Sequence, residues 1–122
     1  NGEPAHALRM LEGLRGEGVE PPVILWALAR ELRLLANISL QYSQGTPLDK
    51  CFSSAKPPVW DKRKPLMSKA LQRYSAQRWA QLLLEAQRID AQIKGQAAGS
   101  PWMSLSRLSL LMAGQRLTLP AE

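Results

Sequence analysis

The chain has 122 residues but only one cysteine, one histidine and one phenylalanine. It has no apolar run near the roughly 20 residues that a membrane-spanning helix requires. Each scarcity excludes a class of function. Cys51 alone cannot close an internal disulfide or build a cysteine metal cage, which points to a reducing compartment such as a bacterial cytoplasm. His6 falls on a surface position of the first expected helix and has no partner for acid–base or nucleophilic work. The acids are scattered singly, and there is no His-Glu-x-x-His or Cys-x-x-Cys set. A glycine-rich phosphate loop followed by Lys-Ser/Thr is missing too. No catalytic residue, metal ligand or cofactor is therefore expected. The N-terminus lacks the charged-then-apolar order of a signal peptide, so a soluble protein with no membrane partner is expected. Asn1-Gly2-Glu3 reads as the start of a piece excised from a longer polypeptide.

Alternation of the kind that marks a half-buried strand is also absent, while proline and glycine recur at helix-length intervals. The spacing predicts an all-α fold, a compact bundle of five to six helices forming a single domain over 1–122. The first helix opens at Pro4, carries Leu8, Leu11 and Leu14, and ends at Gly16 and Gly18. The second runs from Pro21-Pro22 to Gly45 with an apolar arc wide enough to need more than one neighbour. Thr46-Pro47-Leu48-Asp49 offers an N-cap and a first-position proline for a short third helix through Phe52, where Cys51 is expected to be buried or half-buried. A fourth starts at Pro65 or slightly earlier, with Leu66, Met67, Ala70, Leu71 and Tyr74 facing the core. Ser75 caps a fifth, with Trp79, Leu82, Leu83, Ala86, Ile89 and Ile93 inside and Gly95 closing it. Ser100-Pro101-Trp102 starts the last, which continues through Leu105, Leu108 and Leu111 to Gly114. Trp26, Trp79 and Trp102 all occupy core positions in this reading.

The net charge of +6 is localised. Lys56, Lys62, Arg63, Lys64, Lys69, Arg73 and Arg78 stand against the single acid Asp61 between positions 56 and 78, and the rest of the chain is balanced. A concentrated excess of this kind makes a local positive potential suited to phosphate or to an acidic partner. Within it, Val59-Trp60-Asp61-Lys62-Arg63-Lys64 places an aromatic beside three consecutive cations, directly after Pro57-Pro58. Single-stranded nucleic acid is bound by this combination: cations meet phosphates, and a tryptophan face stacks on an unpaired base. Lys69 and Arg73, one helical turn apart, would extend the track. Spacing alone favours the alternative, in which Trp60 folds inward as a core staple and the cations are simply solvated.

The order of motifs resembles the C-terminal domain of the delta subunit of bacterial DNA polymerase III, part of the sliding-clamp loader. The likeness is carried by Ala7-Leu8-Arg9-Met10-Leu11 with Leu14-Arg15-Gly16-Glu17-Gly18-Val19-Glu20-Pro21, by Arg30-Glu31-Leu32-Arg33-Leu34-Leu35, by Val59-Trp60-Asp61-Lys62-Arg63-Lys64, and by Trp102 leading to Leu108-Ser109-Leu110-Leu111. Asp90 with Lys94-Gly95 matches a further element of the family. The resemblance implies a collar-type oligomerisation domain that packs beside gamma/tau and delta-prime subunits in the replisome of the bacterial cytoplasm. It implies that the ATPase-like modules and the clamp contact lie in preceding domains, so that this piece is non-catalytic although its parent belongs to the DNA polymerase III holoenzyme. It also implies that Trp60 lies where the collar meets primer-template or single-stranded DNA, assisted in relatives by a tyrosine at the place where this chain has Ala97.

Two readings follow. In the first, the domain packs in a collar and touches DNA through Trp60, Lys62, Arg63, Lys64, Lys69 and Arg73. In the second it is purely architectural, and its basic segment meets an acidic neighbour. A third reading, a self-standing helix-turn-helix DNA-binding domain, ranks below these because there is no short glycine turn between two compact helices leading into a basic recognition helix.

Overall fold

Among the described residues six helices form, close to where the punctuation places them. The computed structural model describes residues 3–56 and 58–114. Its elements are α1 (Glu3–Gly16), α2 (Pro21–Ser43), α3 (Leu48–Ser54), α4 (Lys64–Arg73), α5 (Ala76–Ile93) and α6 (Pro101–Met112). No strand occurs among the described residues, and the all-α class is as expected. None of these helices is long and apolar enough to cross a membrane.

The ends have identifiable causes. After α2 the chain turns at Gly45 with φ 99°, a left-handed conformation that costs glycine nothing, and the Thr46 N–H returns to the Gln41 carbonyl at 3.1 Å. The Ser75 hydroxyl accepts the Arg78 N–H at 3.1 Å and the Ser100 hydroxyl accepts the Met103 N–H at 3.4 Å, so both expected caps form. At α3 the expectation is corrected. Pro47 itself is the N-cap, without a side-chain cap bond, and the helix begins one residue later at Leu48. The Thr46 carbonyl instead accepts the thiol of buried Cys51 at 3.8 Å.

Two compact units divide the chain, Asn1–Leu28 with Glu85–Glu122, and Ala29–Leu84. In the first, α1 packs on α6, and Leu11, Ile24, Leu25, Ile89, Leu105, Leu108 and Leu111 are buried. The Arg15 guanidinium lies 4.8 Å from the centroid of the Trp102 ring. Trp102, expected in the core, is half-buried, with this cation beside its ring. Glu85 is buried and receives the Arg88 guanidinium from one turn along α5. The second unit buries Leu32, Leu35, Ile38, Phe52, Val59, Met67, Trp79 and Leu82. Trp79 is wholly enclosed and meets Tyr74 edge to face, centroids 5.1 Å apart.

Two expected core residues are outside. Trp26 is 65% exposed. Each helical residue turns about 100° from the last, and the buried stripe of α2 passes through Leu25, Ala29, Leu32 and Leu35, leaving Trp26 on the outer arc. Leu66 is 71% exposed for the same reason, since the stripe of α4 runs through Met67 and Ala70. Tyr74 lies just past the end of α4, half-buried. The half-buried Leu71, Leu83 and Ile93 flank the stripes.

Candidate nucleic-acid interface

A backbone hydrogen bond ties Val59 to the end of α3. The Val59 N–H donates to the Phe52 carbonyl at 3.0 Å, and the Val59 side chain is buried. In extended chain successive side chains alternate. With Val59 inside, Pro58 and Trp60 are both exposed. Trp60 is 74% exposed, which overturns the inward reading that spacing favoured: the core position belongs to Val59. Downstream, the Trp60 carbonyl accepts the Arg63 and Lys64 N–H groups at 2.9 and 3.2 Å, a tight turn that opens α4 and holds the indole on its outer side.

The cations of this turn are unequal. Arg63 reaches α2, where its Nη2 donates to both carboxylate oxygens of Glu31 at 2.7 Å. Lys64 pairs with Asp61 at 2.9 Å, and Asp61 is 96% exposed in its side chain. Such an exposed pair contributes little to stability but does offset the lysine's charge locally. Lys62 is exposed and has no carboxylate partner among the described residues. Lys69 is exposed and Arg73 half-buried along α4, both already engaged in interactions of their own.

Beside Trp60 lies an open groove of about 650 Å³. One wall is α2, contributing Arg30, Glu31, Arg33, Leu34 and Asn37; the other is the segment that runs from Ser54 through Val59 and Trp60 to Arg63. Arg30, Arg33, Lys56 and Arg63 thus face the groove against one acid, Glu31. Of the charge segment identified by composition, Lys56 and Arg63 reach this groove, and composition missed the cations on its α2 side. Arg30 and Arg33 lie outside the 56–78 excess, in a stretch that is balanced on average. Their i, i+3 spacing on the outer arc of α2 was the available signal. His6 is exposed on α1. Ala97 is half-buried in the loop between α5 and α6 and offers no ring for stacking.

Residues 1–119 match the family described as "Processivity clamp loader gamma complex DNA pol III C-term". The chain belongs to this family. Over 116 residues it is 38% identical to "DNA polymerase III subunit delta" of Escherichia coli (strain K12), an alignment that covers 95% of this chain and 33% of that protein. A second subunit delta, from Haemophilus influenzae (strain ATCC 51907 / DSM 11121 / KW20 / Rd), is 28% identical over 117 residues, covering 89% of this chain and 33% of the relative. The chain thus spans about a third of the length of these delta subunits. The resemblance drawn from the motif order holds across the family match, and the Trp60 turn and both walls of the groove lie inside it.

Proposed function

We propose that residues 1–122 act as one helical collar domain of a clamp-loader delta subunit in DNA replication, and that the Trp60 turn contacts primer-template or single-stranded DNA. The observation that carries this reading is the 74% exposure of Trp60 on a basic turn within a chain matched by the family from residue 1 to 119. An indole held out of the core among cations is suited to stacking on an unpaired base. Lys62, Lys64, Lys69 and Arg73 add to the surrounding positive field, while Arg63, the fifth basic residue of the track, faces the Glu31 carboxylate. The domain itself is non-catalytic. Its partners are gamma/tau and delta-prime subunits in the bacterial cytoplasm, and the clamp contact and ATPase-like modules belong to the rest of a polypeptide about three times as long.

The test is binding of a labelled primer-template by the full-length subunit in its assembled complex, wild type against Trp60→Ala. The substitution is expected to weaken binding roughly 5- to 150-fold, the range of one base–aromatic stack. Equal affinity would remove Trp60 from the interface.

The architectural reading is favoured by a separate observation. α2 exposes Val23, Trp26, Leu40 and Tyr42, and α6 exposes Met103 at 75%. Large side chains left outside in this way are suited to packing against neighbouring subunits. This reading concerns other surfaces and is compatible with the first. If Trp26→Ala prevents co-elution with the gamma/tau and delta-prime subunits while Trp60→Ala leaves DNA binding intact, the architectural role stands alone.

A further inference from the structure

We propose that α2 forms the phosphate-binding wall of a single-strand track, with Arg30 and Arg33 meeting the backbone, Trp60 stacking at the rim, and Arg63 held off the strand by Glu31 as a positioning residue. The proposal rests on the DNA-contact reading above and assigns the strand's path and polar contacts.

The groove selects for a single strand on chemical grounds. Its lining includes the apolar residues Leu34 and Val59, and its α2 side carries Arg30 and Arg33. A strand with splayed bases presents both surfaces at once, an apolar base face and a phosphate edge. In a duplex the base faces are already stacked on one another, which leaves the Trp60 ring without a partner. Arg30 and Arg33 are both exposed, and i, i+3 spacing puts their side chains on one face of α2, close enough for neighbouring phosphates of one strand to take one each. Neither has a carboxylate partner among the described ion pairs.

Arg63 differs. Both oxygens of Glu31 accept from its Nη2 at 2.7 Å, so its charge is largely compensated and a phosphate would have to displace a carboxylate to use it. The pair ties the Trp60 turn to α2 and sets the width of the groove. Arg63 thus acts on the strand through the position it gives Trp60, and Glu31 keeps it from adding a phosphate contact.

The experiment is a salt-titrated anisotropy series on the full-length subunit in its assembled complex, with fluorescein-labelled oligothymidylate and a duplex of equal length as probes. For single strands, each phosphate contact contributes about 0.7 to the slope of log K against log salt. Arg30→Ala/Arg33→Ala is expected to lower the slope by about 1.4 for two such contacts. Arg30→Lys/Arg33→Lys should restore it, which separates lost charge from lost folding. Glu31→Gln should steepen the slope by about 0.7 as Arg63 is released. Duplex bound as tightly as oligothymidylate overturns the single-strand assignment, and an unchanged slope in Glu31→Gln overturns the assignment of Arg63. Should Trp60→Ala weaken binding while Arg30→Ala/Arg33→Ala leaves the slope alone, the α2 wall is wrong and the DNA-contact reading survives. If every one of these variants binds both probes as the wild-type complex does, both readings are overturned.

Discussion

Arg63 and Glu31 are joined across 32 positions of sequence by two hydrogen bonds of 2.7 Å, the link between the turn that carries Trp60 and the long helix α2. Both side chains are partly open to solvent, 48% and 35% exposed, so water screens much of the attraction. A double-mutant cycle with Arg63→Ala and Glu31→Ala, read by urea denaturation, is expected to give a coupling of about 0.5–1 kcal/mol that shrinks in high salt. A coupling above about 2 kcal/mol would mean that the pair organises the fold and not merely the turn.

The tryptophans make a second test, because their residue type is constant and their surroundings are not. Trp79 is fully enclosed and in edge contact with Tyr74, so Trp79→Ala should cost about 3–5 kcal/mol. Trp26 and Trp60, 65% and 74% exposed, should each change stability by no more than about 0.5 kcal/mol when replaced by alanine. Thermal unfolding of the three variants checks this ordering. A large loss in Trp60→Ala would show that its ring is covered in solution.

Those same residues show how far sequence reading reaches. Helix positions were legible because Ser75, Ser100, Pro101 and the glycines after α1, α2, α5 and α6 act locally, through caps and backbone conformation that neighbours alone dictate. The facing of Trp26 and Leu66 was not. Each sits one residue from a buried position, and about 100° of helical rotation separates inside from outside on an arc already rich in apolar residues. Trp60 turned on a choice between it and Val59 for a single core position, which the Phe52–Val59 backbone bond decides from outside the motif. Arg30 and Arg33 escaped notice because a charge count averages along the chain, whereas the groove gathers α2 and the 54–63 segment in space. The family match, by contrast, followed from motif order, which no single facing error disturbs.

Within the unit made of 1–28 and 85–122, Glu85 and Arg88 lie one helical turn apart, and the carboxylate is 9% exposed. The hydrogen bond from Arg88 to Glu85 raises the arginine pKa above its usual value, working against partial burial. A raised folded-state value places the stabilisation below the arginine's ordinary pKa and removes it only as pH climbs through the folded one. The pair should therefore lend no pH dependence through its arginine between about pH 6 and 9. Arg88→Ala, which leaves a buried carboxylate without its donor, is expected to cost about 1–3 kcal/mol at pH 7 in urea denaturation. Arg88→Lys should recover only part of it, since an ammonium cannot reproduce the paired Nε and Nη2 bonds.

In the loop between α5 and α6 the backbone at Gly99 comes close to a buried amide. Buried Gln92 donates from Nε2 to the Ala98 carbonyl at 2.9 Å, and the next residue, Gly99, has φ 116°. A Cβ at Gly99 would stand 2.4 Å from Gln92 Nε2, so alanine there meets both backbone strain and the amide that holds the loop. Gly99→Ala is expected to destabilise by about 1–3 kcal/mol. Gln92→Ala removes the obstacle together with the hydrogen bond, so the pair should be non-additive, with the double variant less destabilised than the sum of its parts. Thermal unfolding of the two single variants and the double settles it. Strict additivity would mean that strain at φ 116° accounts for the whole cost of Gly99→Ala and that the Gln92 side chain yields freely.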